Sequence, residues 1–283
     1  MAQQTDPGSN YTRNYNQVLI KLNSCDRTQP ETSTNSNFNI SFTSTGNAIN
    51  KVKKISVSTV STNNLFYNTP STANQFVINW TDGINPQSFK VTIPVGYYNA
   101  TALAAIVQES VRNQTALADF SCVFDVVNFV FVFNSGDGAL TISVGGVVVN
   151  PGTNNFCGTL LYNMGYTVQP TLYALELTAP SLPSLNVKNI FLFSQRLASA
   201  KSYQSNDNNR SIPANEMISI PLGNVVYGGT INYLSTGSDV RGTITYNYET
   251  PFDTIDFQIR DEWGCIVESP PNNTLTIELK ANY

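Results

Sequence analysis

Two pairs of carboxylates stand close enough along the chain to suggest acid–base chemistry: Asp253 with Asp256, and Asp261 with Glu262. Such a pair could cleave a glycosidic bond, one carboxyl protonating the leaving oxygen while the other acts as base or nucleophile. Both would have to face one cleft, about 5–10 Å apart. Each pair falls in a turn or on the polar side of a strand, and proximity in sequence alone does not mark a site. The run Ser205-Asn-Asp-Asn-Asn-Arg210 offers oxygen ligands for calcium. Calcium sites concentrate more carboxylates than this, so a solvated Asn-rich loop accounts for it. Trp80, Trp263 and the surface tyrosines could stack on sugars, or pack in a core or at a subunit contact.

What is missing narrows the chemistry further. The chain has no histidine. That excludes Ser-His-Asp and Cys-His activation of a nucleophile, and with it every zinc, copper or non-haem iron site built on imidazole. The four cysteines, Cys25, Cys122, Cys157 and Cys265, are widely spaced and form no CxxC pair. They read as reduced, buried thiols rather than ligands. No P-loop, dinucleotide-binding or EF-hand pattern occurs. No cofactor, no metal and no catalytic residue is expected.

The elements that would position these residues are set by an unusual surface. Charged residues make up only 12% of the 283, about half the ordinary share, while hydrophobic residues are 41%. The exterior must therefore be built from Asn, Ser, Thr and Gln, whose burial costs far less than that of unpaired charges. Such faces suit a protein that ends against neighbours. The formal net charge of −4 argues against a nucleic-acid surface. The one basic cluster, Lys51, Lys53 and Lys54, reads as a strand-edge gatekeeper. No apolar run approaches the ~18 residues of a membrane span, and the first residues lack a signal-peptide pattern. Sequons at Asn10, Asn79, Asn99 and Asn113 are expected by chance in so Asn- and Thr-rich a chain.

Residues 1–16 are polar, with Pro7, Gly8, Tyr11 and Tyr15. They read as a flexible arm, its two tyrosines available for a subunit contact. From Val18 the pattern is strand after strand. Phe38, Ile40 and Phe42 alternate with polar residues, and so do Ile255, Phe257 and Ile259, then Leu275, Ile277 and Leu279, each set predicting one wet and one dry face. The middle differs. Asn99 is placed to cap a helix over 100–114, with Leu103, Ile106, Val107 and Val111 on one stripe. Around it lie strands near 76–80, 89–93, 120–125 and 129–133. Ser135-Gly-Asp-Gly138 reads as a hairpin turn into a strand from Leu140. Phe129-Val-Phe-Val-Phe133 is apolar on both faces and must be covered on both. The predicted fold is mainly β: an antiparallel jelly-roll sandwich from 17–73 plus 169–283, with a small α+β module, 74–168, inserted into it.

Four segments resemble a known family. Val18-Leu-Ile-Lys-Leu-Asn-Ser-Cys-Asp-Arg27 followed by Ser36-Asn-Phe-Asn-Ile-Ser-Phe42 resembles the opening of penton and minor capsid proteins of large DNA viruses and virophages. Ile93-Pro-Val-Gly-Tyr-Tyr-Asn-Ala-Thr-Ala-Leu103 resembles their Ile-Pro-x-Gly-x-Tyr element before a helix, and Phe156-Cys-Gly-Thr-Leu-Leu-Tyr-Asn-Met-Gly-Tyr166 the close of that module. Ile255-Asp-Phe-Gln-Ile-Arg-Asp-Glu-Trp-Gly264 looks like the penultimate strand and its turn, with Trp263 where a small or acidic residue is commoner. The motifs are short, and their order and spacing carry the resemblance. It implies a non-enzymatic subunit of an icosahedral capsid, located in the virion and assembled inside the host cell. As a penton it would form a pentamer at the vertex beside the major capsid protein. A minor capsid protein cementing capsomers, a glycan-binding attachment module and a carboxylate glycosidase are the alternatives.

Overall fold

The computed structural model describes residues 17–28, 34–41, 49–115, 117–143, 159–166, 173–198, 216–223, 225–235 and 243–282. Tyr11, Tyr15, Cys157 and the Ser205–Arg210 loop lie outside the described residues. Two sheets account for the chain on either side of its middle. In the first, β1 (Gln17–Asn23) pairs with β15 (Thr276–Asn282), which pairs with β3 (Ile49–Asn63). The long β3 carries β13 (Thr243–Phe252) and β12 (Thr230–Leu234) end to end along its other side. In the second, the order is β11 (Glu216–Pro221), β10 (Asn189–Phe193), β14 (Thr254–Arg260), β2 (Asn37–Ser41). All these pairings are antiparallel. The chain crosses between sheets at β1–β2, β2–β3, β3–β10, β11–β12, β13–β14 and β14–β15. That order is a jelly roll, two interlocked Greek keys closed face to face.

Alternation decides which side of each strand turns inward. Phe38 and Ile40 of β2, Ile255, Phe257 and Ile259 of β14, and Ile277 and Leu279 of β15 are all buried between the sheets. The rings of Phe38 and Phe257 meet at 5.8 Å. Each such side chain taken from water contributes about 1.5–3 kcal/mol.

The connection from β3 to β10 holds a second core of its own. There β5 (Pro86–Thr92), β4 (Gln75–Thr81) and β8 (Ala139–Ser143) form one sheet, and β6 (Ser121–Asp125), β7 (Val130–Asn134) and β9 (Glu176–Thr178) another. Helix α1 (Ala100–Gln114) begins where the sequence predicts, with the Asn99 side chain accepting the Ala102 N–H at 2.8 Å. It buries Leu103, Val107 and Val111, and a short helix, α2 (Leu160–Asn163), adds Leu160 and Leu161 to the same core. Phe76, Phe120, Phe131, Phe133 and Tyr166 fill the space beneath it. The strand β9 lies beyond residue 168, the expected end of this module, yet it pairs with β7, and Ala179 is buried with the module's core.

Two local expectations are corrected. Ser135–Gly138 is not a hairpin turn, because β7 and β8 belong to different sheets. It is a corner where backbone passes close to β4: Trp80 Nε1 donates to the Asp137 carbonyl at 2.8 Å, and Ser135 Oγ donates to the Gly138 carbonyl at 2.9 Å. A Cβ on Gly138, which sits at φ +64°, would lie 2.5 Å from the Thr81 carbonyl oxygen. Gly138→Ala should therefore cost at least the ~1–2 kcal/mol of a left-handed non-glycine residue, read as a lower urea midpoint at unchanged slope. Phe129, expected in the strand, precedes it instead. It holds φ +56° in the turn and leaves its ring 59% exposed.

The poles of the sandwich differ. The β1–β2, β3–β10, β11–β12 and β14–β15 connections meet at one pole: Asn35 Nδ2 donates to the Pro271 carbonyl, Tyr67 N–H to Glu268, and Asn64 N–H to Gly229, each at 2.8 Å. The inserted module sits there. At the other pole Gln17 pairs with Asn282, and their side chains hydrogen-bond at 3.1 Å.

Candidate functional site

Three of the four carboxylates singled out from the sequence serve backbone, and the fourth, Asp253, meets a side chain. Asp256 accepts the N–H groups of Gln195 (2.9 Å) and Arg196 (2.7 Å) and the hydroxyl of Ser194 (3.2 Å). It thus caps the short helix α3 (Gln195–Ala198), satisfying donors that have no partner inside the helix. Asp253 forms a half-exposed ion pair with Arg196 at 3.7 Å. Asp261 Oδ1 accepts the N–H groups of Trp263 and Cys265, both at 2.9 Å, which closes the β14–β15 turn. Glu262 receives the Lys188 and Asn189 N–H groups at 3.3–3.5 Å. Asp256 lines a surface trough that Asp253 does not, and the cavity that Asp261 and Glu262 share has room for a water or two, too little for a saccharide. Among the described residues, no group of three or more His, Cys, Asp or Glu side chains could hold a metal ion.

The two tryptophans are also engaged. Trp80 is held at the Gly138 corner, and Trp263 meets Tyr162 edge-on, ring centres 5.1 Å apart. The Trp263 contact is one of several across the seam between sandwich and module. Tyr97 stacks on Tyr227 at 3.7 Å and donates its hydroxyl to Asn186 at 3.0 Å. Asn68 grips the backbone of Tyr98 from both sides, accepting its N–H at 3.0 Å and donating to its carbonyl at 2.7 Å. Between these contacts lies a cavity of about 30 Å³, lined among others by Tyr67, Asn68, Asn163, Asn186 and Asp261. That is room for one or two waters and nothing larger. Burial pushes the Asp261 carboxyl up to about 6 against the pull of its backbone donors, with the Glu262 charge adding to the rise.

Of the cysteines, Cys122 is buried and its thiol is pushed up by burial, Cys265 is half-buried, and Cys25 is exposed, contrary to the expectation of buried thiols throughout. None of the three is in a disulfide. Cys25 stands in a 3-10 turn whose N–H is capped by Asn23, at the pole where the connections meet.

Two surface features escaped the sequence reading. The first is a pair of turns of the same design. Asp82 Oδ1 accepts the N–H groups of Ile84 and Asn85, and Asp125 Oδ1 those of Val127 and Asn128. In each, the second oxygen accepts from the Asn side chain. These bonds hold both carboxyls below the usual range, the Asn85 N–H chiefly for Asp82 and the Asn128 side chain chiefly for Asp125. Each turn projects an aliphatic residue into solvent, Ile84 at 84% and Val127 at 80% exposure. The shared Asp-x-Ile/Val-Asn spelling was the available signal.

The second is a trough of about 710 Å³ on the outer face of the second sheet. Its floor is Asn37 and Asn39 of β2 and Thr254, Asp256 and Gln258 of β14, where Asp256 stands opposite Asn39 and Gln258 opposite Asn37. Thr28 forms one wall, its N–H bonded to the Asn39 carbonyl at 2.8 Å, and Gln195 and Arg196 of α3 form the other. The volume is ligand-sized, and none of the described residues that line it is aromatic or aliphatic.

No family model matches the chain, and no curated protein matches it. Among solved structures it is similar to the mavirus penton protein, at 9% identity and a TM-score of 0.45, over 94% of this chain and 99% of that one. It is also similar to a chain of the Sputnik virophage solved by cryo-EM, at 12% identity and a TM-score of 0.44, over 94% and 98%.

Proposed function

We propose that this chain is a structural subunit of an icosahedral DNA-virus capsid, a pentameric penton that closes the vertex against the major capsid protein. The observation that carries the reading is the jelly-roll strand order joined to an exterior with few charges. A closed sandwich supplies a rigid wedge, and faces of neutral amides and hydroxyls can be covered by neighbours at little desolvation cost. Many repeated modest contacts then suffice to hold a shell. In this reading 17–73 and 180–282 form the shell domain, 74–179 is an insertion carried at one pole, and residues 1–16 are an arm with Tyr11 and Tyr15 as contact residues. The role is structural rather than catalytic, in keeping with carboxylates spent on backbone caps. The only described cluster of lysines lies along one strand, which gives nucleic acid no broad basic face, and no described helix is long and apolar enough to cross a membrane.

Native mass spectrometry of the full chain tests the proposal. A pentamer is the expected result. A dimer or trimer would move the chain from the vertex to the cementing role. A monomer that persists at high micromolar concentration would overturn the capsid reading.

A further inference from the structure

We propose that the trough on the outer face of the second sheet is the seat of residues 1–16. The inference rests on the reading of that segment as a contact-making arm and names where it makes contact.

Three observations point to it. The described lining of the trough offers hydrogen-bonding groups and little else. The side-chain amides of Asn37 and Asn39 have no hydrogen-bond partner among the described residues, while both Asp256 oxygens are committed to α3. An extended polar peptide, with alternating N–H and C=O groups and short amide or hydroxyl side chains, is the matching chemistry. The segment Met1–Asn16 has that character, with Gln3, Gln4, Thr5, Asn10, Thr12, Asn14 and Asn16, and one acid and one base, Asp6 and Arg13.

The second observation is position. The edge strand β1 begins at Gln17, at the pole away from the module. Only four residues lie between Asn23, the end of β1, and Thr28, which bonds to β2. The edges β1 and β2 therefore lie one above the other on the same flank of the sandwich. The far end of the trough, where Thr254 pairs with Ser41, is at the pole from which β1 starts.

The third is reach. Facing sheets are about 10 Å apart, and a 16-residue extended segment spans roughly 50 Å. A handful of residues can round the flank and leave about ten to lie along β2 and β14. A saccharide fits less well, because no described residue of the lining offers a ring for a sugar face to rest on, and among the described residues a nucleic acid would find Arg196 as the one cation there.

The test uses the full chain with a photoreactive benzoylphenylalanine in place of Tyr11 or of Tyr15, irradiated and mapped by peptide mass spectrometry. Adducts in peptides containing Asn37–Ser41 or Thr254–Arg260 are expected, and they should fall at least tenfold in the Asn39→Arg variant, whose substitution sits on an exposed floor position. Mixed light and heavy copies tell whether a chain fills its own trough or its neighbour's, and either result supports the site. Adducts confined to the first sheet or the module, no adduct at all, or yields unchanged by Asn39→Arg would overturn it. Failure here is separable from failure of the capsid reading. A pentamer with adducts elsewhere sinks only the trough, and a monomer with the arm in its own trough sinks only the capsid role.

Discussion

Phe133→Ala is expected to destabilise the inserted module by about 3–5 kcal/mol, the range for deleting a buried aromatic ring. Phe133 is fully buried, and its ring lies 5.0 Å from Tyr166, 5.5 Å from Phe120 and 6.1 Å from Phe76. Truncation would leave a hole walled by three rigid rings that cannot close over it. The side chains that close the sandwich are a different set. The loss should therefore be local. Amide exchange should quicken in β4, β7 and α1 while β14 and β15 keep their protection. Equal loss in both regions would show that the two cores unfold as one body.

Asp261→Asn should remove the pH dependence that this carboxyl gives the seam. The carboxyl titrates at about 6 in the folded chain against 3.8 for the ordinary group. A carboxyl with a raised folded value binds its proton more tightly in the native state. Its contribution is thus full below pH 4 and is lost as pH rises through 6. Above that the folded chain carries a charge at a mostly buried turn, at a cost on the order of 1–3 kcal/mol. Asparagine keeps the oxygen that accepts the Trp263 and Cys265 N–H groups and removes the charge. The variant should match the parent near pH 4 and exceed it by that amount at pH 8, in urea unfolding at each pH. Asp82 and Asp125 shift the opposite way and lose their contribution on acidification. They titrate in both proteins, so the difference between parent and variant isolates Asp261, together with the Cys265 thiol that its charge raises. A difference that does not change between pH 4 and pH 8 would refute the argument.

The strands were legible wherever one face is wet. Ile255, Phe257 and Ile259 alternate without a break, and the structure buries all three while leaving Asp256 and Gln258 outward. The helix was legible because its cap and its stripe agree, Asn99 before Leu103, Val107 and Val111. The Ser135–Gly138 corner was not, since glycines signal a turn in the same way whether the next strand pairs with the last one or leaves for another sheet. Strand β9 was missed because three residues, Glu176-Leu-Thr178, show no period, and only their partner β7 makes them a strand. The trough was invisible for a different reason. Its floor comes from two strands more than 200 positions apart, and each contributes only the polar half of an ordinary alternation. The carboxylate pairs were visible but misleading, because a turn needs an acceptor for its free N–H groups as much as a reaction needs a base.

The pairing of Gln17 with Asn282 has a mechanical consequence. Tension applied through these two strand ends acts across the β1–β15 ladder, at right angles to the strands, and opens its hydrogen bonds one after another from that end. The strands peel apart like a zip instead of sliding in shear. The load is spent before it reaches the opposite pole, so a chain pulled at Gln17 and Asn282 gives way at β1 while the inserted module stays folded.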